Sequence, residues 1–381
     1  MRSADFARLN QPYPKAMEPT EADARAAIGI KLPHWASLES EIFADFVEQR
    51  PYGIGWWAPG PGTQRRILVA DQLSCCLASV PGNMTEAALH WLEYQDASDR
   101  DNARLAEAVK LRRSGPVIDV PRPRSASEQL APDLVRMHQA GLIRAIASAL
   151  DCLAGVIIGV AALPKSILTA DFKGARKTLK AIKGANSVGA AVQADFATKL
   201  ESAINAVGPE GWLDWTLDLR NMLVHRGRRI ELRQFSEIEV VLLGADGRSA
   251  PYFRRASHLP RDPGRSDIEV LIEMPWGNMV LHEEETTTLQ GLVKSTGFLL
   301  EATAGHLLDL WRWRRDHPGD LHQPIDQWKK GPSKQSTGFN GYAPDALPLN
   351  PALGAMNPKT ARRVLAAAID DAAKPQWATF D

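Results

Sequence analysis

The residues best suited to chemistry are Arg220, Asn221 and His225, which occur together in the segment RNMLVH. On a helix at about 100° per residue, Asn221 and His225 lie four residues apart and therefore share one face. Arg220 falls inside the apolar part of the same helix, between Leu213 and Leu223. A guanidinium keeps its charge in practice, so it must meet an anion, a carboxylate or water. The segment therefore combines a fixed cation, an amide and an imidazole.

These three residue types suit the cleavage of RNA by its own 2′-hydroxyl. The reaction needs an acid or base that titrates near neutral pH, and an imidazole has that property. It also needs a fixed cation to stabilise the charge that develops around phosphorus, which suits the guanidinium fork. His225 lies near the end of its helix, where the helix dipole favours a protonated imidazole. We therefore predict His225 as acid or base, Arg220 as charge stabiliser, and Asn221 as a residue that orients the imidazole or binds a phosphate oxygen.

A local basic cluster directly follows this segment and consists of Arg226, Arg228 and Arg229. Such a cluster can hold an RNA backbone through its phosphates. The whole chain carries 45 basic and 45 acidic residues, so it has no overall electrostatic preference for nucleic acid, and an RNA surface must be local. Two simpler interpretations stay open. The cluster is a solvated turn, or Arg220 forms a structural ion pair with a carboxylate on a neighbouring helix.

The segment resembles the motif of the HEPN superfamily, in which an Arg, a polar residue and a following His lie on a late helix of a helical bundle. The form Arg-Asn-Met-Leu-Val-His at 220–225 is similar to the Arg-Asn…His version of that motif. The resemblance covers residues 127–315. It implies an antiparallel helical bundle that dimerises and places two motifs across a shared cleft. It further implies that Arg220 and His225 are catalytic and that Asn221 supports them.

The resemblance also implies a class of function, a metal-independent endoribonuclease of toxin–antitoxin, antiviral or RNA-processing systems. RNA would be the substrate, with no cofactor or metal, and a neutralising protein would be the partner of a toxin. An alternative is a non-catalytic HEPN module that binds a partner protein or a nucleotide, and a purely structural scaffold is a third. The chain departs from one family variant because Gly227 stands where that variant has a Tyr, two residues after the His.

The rest of the sequence predicts a mainly α fold. Apolar residues at helical spacing indicate five helices, one of which carries the Arg220–His225 segment. In residues 228–283, between the fourth and fifth of these helices, apolar and polar residues alternate. This pattern predicts three or four strands that form a small antiparallel β insertion. The predicted helices are Ser127–Leu163, Asp171–Ile182, Ser187–Val207, Gly211–Arg226 and Glu284–Arg315.

The regions outside the bundle are predicted to be less regular. Residues 1–82 are rich in Pro, Gly and Trp, which predicts an irregular N-terminal extension with a short helix near Leu38–Glu48. We predict a helical connector at 83–125, the bundle at 126–316, and a C-terminal tail at 317–381 with a short helix at Pro358–Ala373.

Composition favours a soluble protein of a reducing, cytoplasmic compartment. The chain is 44% hydrophobic and 24% charged, as expected for a soluble protein with a sizeable core. Its three cysteines, Cys75, Cys76 and Cys152, are too few and too sparse for a disulfide framework, and we predict that Cys75 and Cys76 are packed rather than catalytic. The most apolar run, Cys152–Leu163, has about 12 residues and is too short to span a bilayer. It predicts a buried core helix and no membrane association.

Overall fold

The computed structural model describes residues 31–48, 63–111, 126–182, 184, 187–225, 233–238, 252–273, 275, 278–321, 341–342, 358 and 361. Within these ranges the chain is mainly α-helical. Strand β1 (Arg233–Ile238) pairs antiparallel with β2 (Tyr252–Ser257). The helices are α1 Pro33–Glu48, α2 Thr63–Leu111, α3 Ala126–Val160, α4 Phe172–Ala181, α5 Val188–Val207, α6 Trp212–His225, α7 Asp267–Glu273 and α8 Glu285–Asp316.

Helices α2 and α3 form the most extensive helix–helix contact and define the centre of the core. Two glycines of α3 allow this close approach. A Cβ atom at Gly155 would lie 2.5 Å from the sulfur of Cys76, and one at Gly159 would lie 3.0 Å from Leu73. Because close-packed interiors leave no room for added atoms, these positions need glycine for packing. Side chains of α2 therefore pack directly against the backbone of α3 at these two glycines.

Helix α8 packs against α1 and α5 and also reaches α3. The indole nitrogen of Trp311 donates a hydrogen bond to the buried carboxylate of Asp45 on α1, at 2.7 Å. The hydroxyl of Ser295 donates to the carbonyl of Val207 at the end of α5, also at 2.7 Å. One continuous cluster of buried apolar side chains extends from Trp35 on α1 to Trp311 on α8. Helices α1 to α6 and α8 therefore share a single core.

The structure confirms the predicted helices of the bundle to within a few residues at each end. These are α3, α4, α5, α6 and α8. The apolar run in α3 lies in the core, as predicted. Helix α3 is long and apolar enough to cross a membrane, but 78% of its most apolar stretch is buried inside the protein. The tail helix predicted at 358–373 lies outside the described residues except at positions 358 and 361.

The short helix predicted near Leu38–Glu48 is present as part of α1, but the irregular structure predicted for the rest of residues 1–82 is not found at 63–82. Residues 33–48 form α1, and α2 begins at Thr63 and runs through the division predicted at residue 82. Pro33 is the first residue of α1, where a proline loses no helical hydrogen bond. Pro81 lies inside α2, next to the fully buried Val80. Tertiary burial therefore outweighs the local cost of proline in this helix.

Part of the predicted β region is also different. The segment DIEVLIE at 267–273 was predicted to be a strand but forms helix α7. The reason is a capping box, in which the Ser266 hydroxyl accepts from the backbone N–H of Glu269 at 3.3 Å. In return the Glu269 carboxylate accepts from the backbone N–H of Ser266 at 2.8 Å. The described strands in 228–283 are β1 and β2, and residues 239–251 lie outside the described part.

Arg314 on α8 holds the C-terminal end of α3. Its side chain is 1% exposed and donates to the carbonyls of Gly159 at 3.0 Å and Val160 at 2.6 Å. Burial lowers the pKa of Arg314 to about 9, so the group is still a cation at neutral pH. A cation at this end of a helix complements the helix dipole and satisfies carbonyls that have no helical partner.

We expect Arg314→Met to lower the free energy of unfolding by about 3 kcal/mol or more, because buried carbonyls lose their donors. Chemical denaturation of the full chain measures this change. The matched control is Arg312→Met on the same helix, since the Arg312 guanidinium is exposed and paired with Glu41 at the surface. A surface ion pair contributes little. Equal losses in the two variants would contradict the role assigned to Arg314.

Candidate functional site

Helix α6 has the apolar character expected from its sequence and is fixed by its two tryptophans. Trp212 donates its indole N–H to the carbonyl of Ile204 at the end of α5, at 3.0 Å. Trp215 donates to the carbonyl of Pro260 at 3.1 Å, in the segment after β2. These bonds set the rotation of α6 about its axis. The side chains that it buries are Trp212, Leu213, Thr216, Leu219 and Met222.

Arg220 lies at the edge of the core, where α6 faces α3. One of its terminal nitrogens, Nη2, lies 3.3 Å from Oδ2 of Asp151 on α3. The other, Nη1, donates to Oδ1 of Asn221 at 3.0 Å. The Arg220 side chain is 34% exposed and that of Asp151 is 30% exposed. The guanidinium is therefore held by a carboxylate and an amide while about a third of its side chain still meets solvent.

Asp151 connects three helices at this point. Besides pairing with Arg220, it accepts the backbone N–H of Phe172, the first residue of α4, at 3.1 Å. Burial raises the pKa of Asp151, and the hydrogen bond from Phe172 and the charge of Arg220 only partly oppose this effect. The carboxylate is therefore less favourable here than in water, even beside a guanidinium. A carboxylate partner for Arg220 was one open interpretation of the sequence, but Asp151 was not identified as that partner.

Asn221 and His225 are both exposed on α6. Asn221 contacts Arg220, whereas His225 has no hydrogen bond or ion pair with any residue that the structure describes. His225 follows Arg220 by five positions, which is about 7.5 Å along the helix axis and about 140° around it. Within one chain the structure therefore brings Arg220 and Asn221 together but does not bring His225 to either. The predicted orientation of His225 by Asn221 is not observed.

The basic helix α4 lies beside α6 and is partly neutralised. Arg176 makes a two-pronged ion pair with Glu201 on α5, at 2.6 and 2.7 Å, and also lies 3.4 Å from Asp214 at the start of α6. Lys180 shares the same Glu201 carboxylate at 3.0 Å. Arg176 therefore fastens α4, α5 and α6 together and serves structure rather than ligand binding. Lys173 remains exposed on the outer face of α4.

The three arginines predicted to bind RNA, Arg226, Arg228 and Arg229, lie outside the described residues. Their role stays a prediction. No family model, curated protein or solved structure matches the chain. The HEPN resemblance therefore depends on the Arg220–His225 segment.

The raised pKa of Asp151 predicts an unusual pH dependence of stability. A carboxyl whose pKa is raised on folding contributes stability that is fully present below its ordinary value of 3.8. That contribution is lost as the pH rises through the raised pKa of the folded form. We therefore expect the free energy of unfolding of the wild type to fall relative to that of Asp151→Asn over this interval. Urea unfolding at a series of pH values measures the difference.

The matched control is Asp171→Asn, twenty residues along the chain from Asp151. The hydrogen bond from Lys165, at 2.8 Å, lowers the pKa of Asp171. Its contribution is present above pH 3.8 and lost as the pH falls, so the difference between wild type and this variant changes in the opposite direction. If the difference in the free energy of unfolding changed with pH in the same direction for both asparagine variants, burial would not be the dominant effect on the pKa of Asp151.

Proposed function

We propose that the chain is a metal-independent endoribonuclease whose site is built from Arg220, Asn221 and His225 in a homodimer. The observation that supports this most is the state of Arg220. Its guanidinium is positioned by Asp151 and Asn221, yet about a third of the side chain faces solvent. A preorganised cation that a phosphate can reach is the main requirement for stabilising a charged transition state.

In the proposed reaction the 2′-hydroxyl of a ribose attacks the adjacent phosphorus. A base removes the hydroxyl proton, the bond from phosphorus to the 5′-oxygen breaks, and an acid protonates that oxygen. The products are a cyclic phosphate and a free 5′-hydroxyl. His225 acts as the acid or the base, Arg220 stabilises the charge on the phosphorane, and Asn221 supports the guanidinium.

The separation of Arg220 and His225 within one chain is the reason that the proposal includes two copies. The two side chains diverge by about 140° around α6, so one copy offers them to different directions. If two copies face each other, the guanidinium of one approaches the imidazole of the other. In this proposal α3 to α8 form a HEPN-like bundle and the antiparallel pair β1–β2 belongs to its insertion. The protein acts in the cytoplasm on RNA, as a toxin or a defence enzyme with a neutralising partner.

The second candidate function is a non-catalytic HEPN module that binds a partner protein or a nucleotide. The ion pair between Arg220 and Asp151 favours it, because a carboxylate of the same chain already occupies part of the guanidinium. In that case Arg220 is a structural residue of the α3–α6 interface. His225 is then a surface residue with no part in chemistry.

The two functions differ in whether the protein cleaves RNA in the presence of EDTA. We expect the wild type to cleave single-stranded RNA and to leave RNA with 2′-O-methyl groups intact. Arg220→Ala and His225→Ala are each expected to lower the cleavage rate by about 100-fold or more. The first removes the group that stabilises charge on the phosphorane, and the second removes the acid or base. The measurement is cleavage on a denaturing gel with mass analysis for the cyclic phosphate.

The matched controls are the same substitutions, Arg to Ala and His to Ala, at positions away from the candidate site. Arg312→Ala and His317→Ala remove an exposed arginine and an exposed histidine at the far end of α8, and both should retain wild-type rates. Equal rates in wild type, Arg220→Ala and His225→Ala would exclude this site. Binding of RNA or a nucleotide without cleavage, lost in Arg220→Ala and kept in His225→Ala, would instead support the non-catalytic module.

A further inference from the structure

Two cysteines from different helices meet in the interface between α2 and α3. Cys76 on α2 is 6% exposed, and its sulfur lies in the space left by Gly155 on α3. Cys152 is one helical turn before Gly155 on α3, and its sulfur accepts a hydrogen bond from the side-chain amide of Asn83 on α2, at 3.6 Å. Each sulfur therefore contacts the opposite helix. On α3, the position that the Cys76 sulfur contacts is one helical turn from Cys152.

The environments of the two sulfurs are unequal. A hydrogen bond from the Cys76 thiol lowers the pKa of Cys152, and the amide of Asn83 contributes in the same direction, against burial and the charge of Asp151. Donation of that hydrogen bond, together with burial, raises the pKa of Cys76. Cys152 is also half-buried, whereas Cys76 is buried. Cys152 is thus the sulfur with the lowered pKa and with solvent access, and Cys76 is a buried thiol beside it.

We propose that Cys76 and Cys152 form a reversible disulfide in response to a peroxide. The Cys152 thiolate attacks one oxygen of hydrogen peroxide, the O–O bond breaks, and a sulfenic acid and hydroxide form. The sulfur of Cys76 then attacks the sulfenic sulfur, the S–O bond breaks, and water leaves. In total, two thiols lose two electrons and two protons, and the peroxide is reduced to two molecules of water.

The crosslink has a defined place in the fold. It joins α2 to α3 next to Asp151, the residue that pairs with Arg220. It would also close a chain loop between positions 76 and 152, which restricts the unfolded state and raises stability. This proposal does not depend on nuclease activity, so its test needs no RNA and its failure would leave the proposed function untouched.

The test is treatment of the reduced, folded full chain with hydrogen peroxide, followed by peptide mapping without reductant. We expect one intramolecular Cys76–Cys152 disulfide, reversed by dithiothreitol, and a rise in Tm of about 5 °C or more. Cys75→Ser is the matched control at the neighbouring position and should form the same disulfide. Cys152→Ser should form none.

Cys76→Ser should stop the reaction at the sulfenic acid, which dimedone traps on Cys152. If that variant does not fold, dimedone added to the wild type gives the same information, since it should label Cys152 and lower the disulfide yield. A folded wild type whose thiols resist peroxide overturns the proposal. So does a disulfide that contains Cys75, or dimedone labelling of Cys76 in place of Cys152.

Discussion

The ion pair between Arg220 and Asp151 is the interaction on which the candidate site depends. It joins α6 to α3, and because Asp151 also accepts a hydrogen bond from the backbone N–H of Phe172, it fixes the start of α4. Two half-buried charges at this distance attract each other, but each also loses part of its hydration. The raised pKa of Asp151 shows that, for the carboxylate, burial is the larger of these effects. An apolar pair of similar volume would satisfy packing at least as well, so stability alone does not explain why charges are placed here.

The surrounding structure keeps this pair in place from both sides. Arg314 caps the carbonyls at the end of α3, less than three turns after Asp151, and it is fully buried. On the other side, the two tryptophan hydrogen bonds of α6 set which residues face the core. Arg176 adds a third restraint by linking α4, α5 and α6. A cation held by elements that are themselves fixed needs little reorganisation when a ligand arrives.

Sequence reasoning predicted the elements of the bundle but not the contact that completes the site. The apolar residues of α3, α5 and α8 were sufficient to predict these helices closely, because many of the same residues form the core. The same reasoning placed Arg220 inside an apolar arc and required a partner for it. It could not name Asp151, since 69 positions separate the two residues and periodicity gives a face, not a neighbour. Asp151 stands beside the most apolar run of the chain, and that isolated charge was the available signal.

Two failures have local causes of a different kind. Apolar and polar residues alternate in the segment at 267–273, which indicates a strand. Ser266 and Glu269, however, have the spacing of a capping box, and this box stabilises the start of a helix. The Pro and Gly content before residue 82 suggested irregular structure. In the described part, Pro33 begins a helix, and Pro81 lies inside a helix next to buried side chains. Sequence position within an element, more than residue content, determines what a proline does.

A carboxylate on the guanidinium does not by itself decide between catalysis and structure. A guanidinium has five N–H donors in a fork, and the hydrogen bonds described for Arg220 go to one carboxylate oxygen and one amide oxygen. Donors therefore remain for a phosphate without displacement of Asp151. The charges, however, cancel within the pair, so a phosphate that approaches it meets little net attraction from these two residues alone. Further positive charge must come from elsewhere, and the arginines at 226, 228 and 229 are the cations that the chain places nearest along its sequence. A site of this kind would bind RNA only as an assembly of several cations, with Arg220 giving position and the others giving attraction.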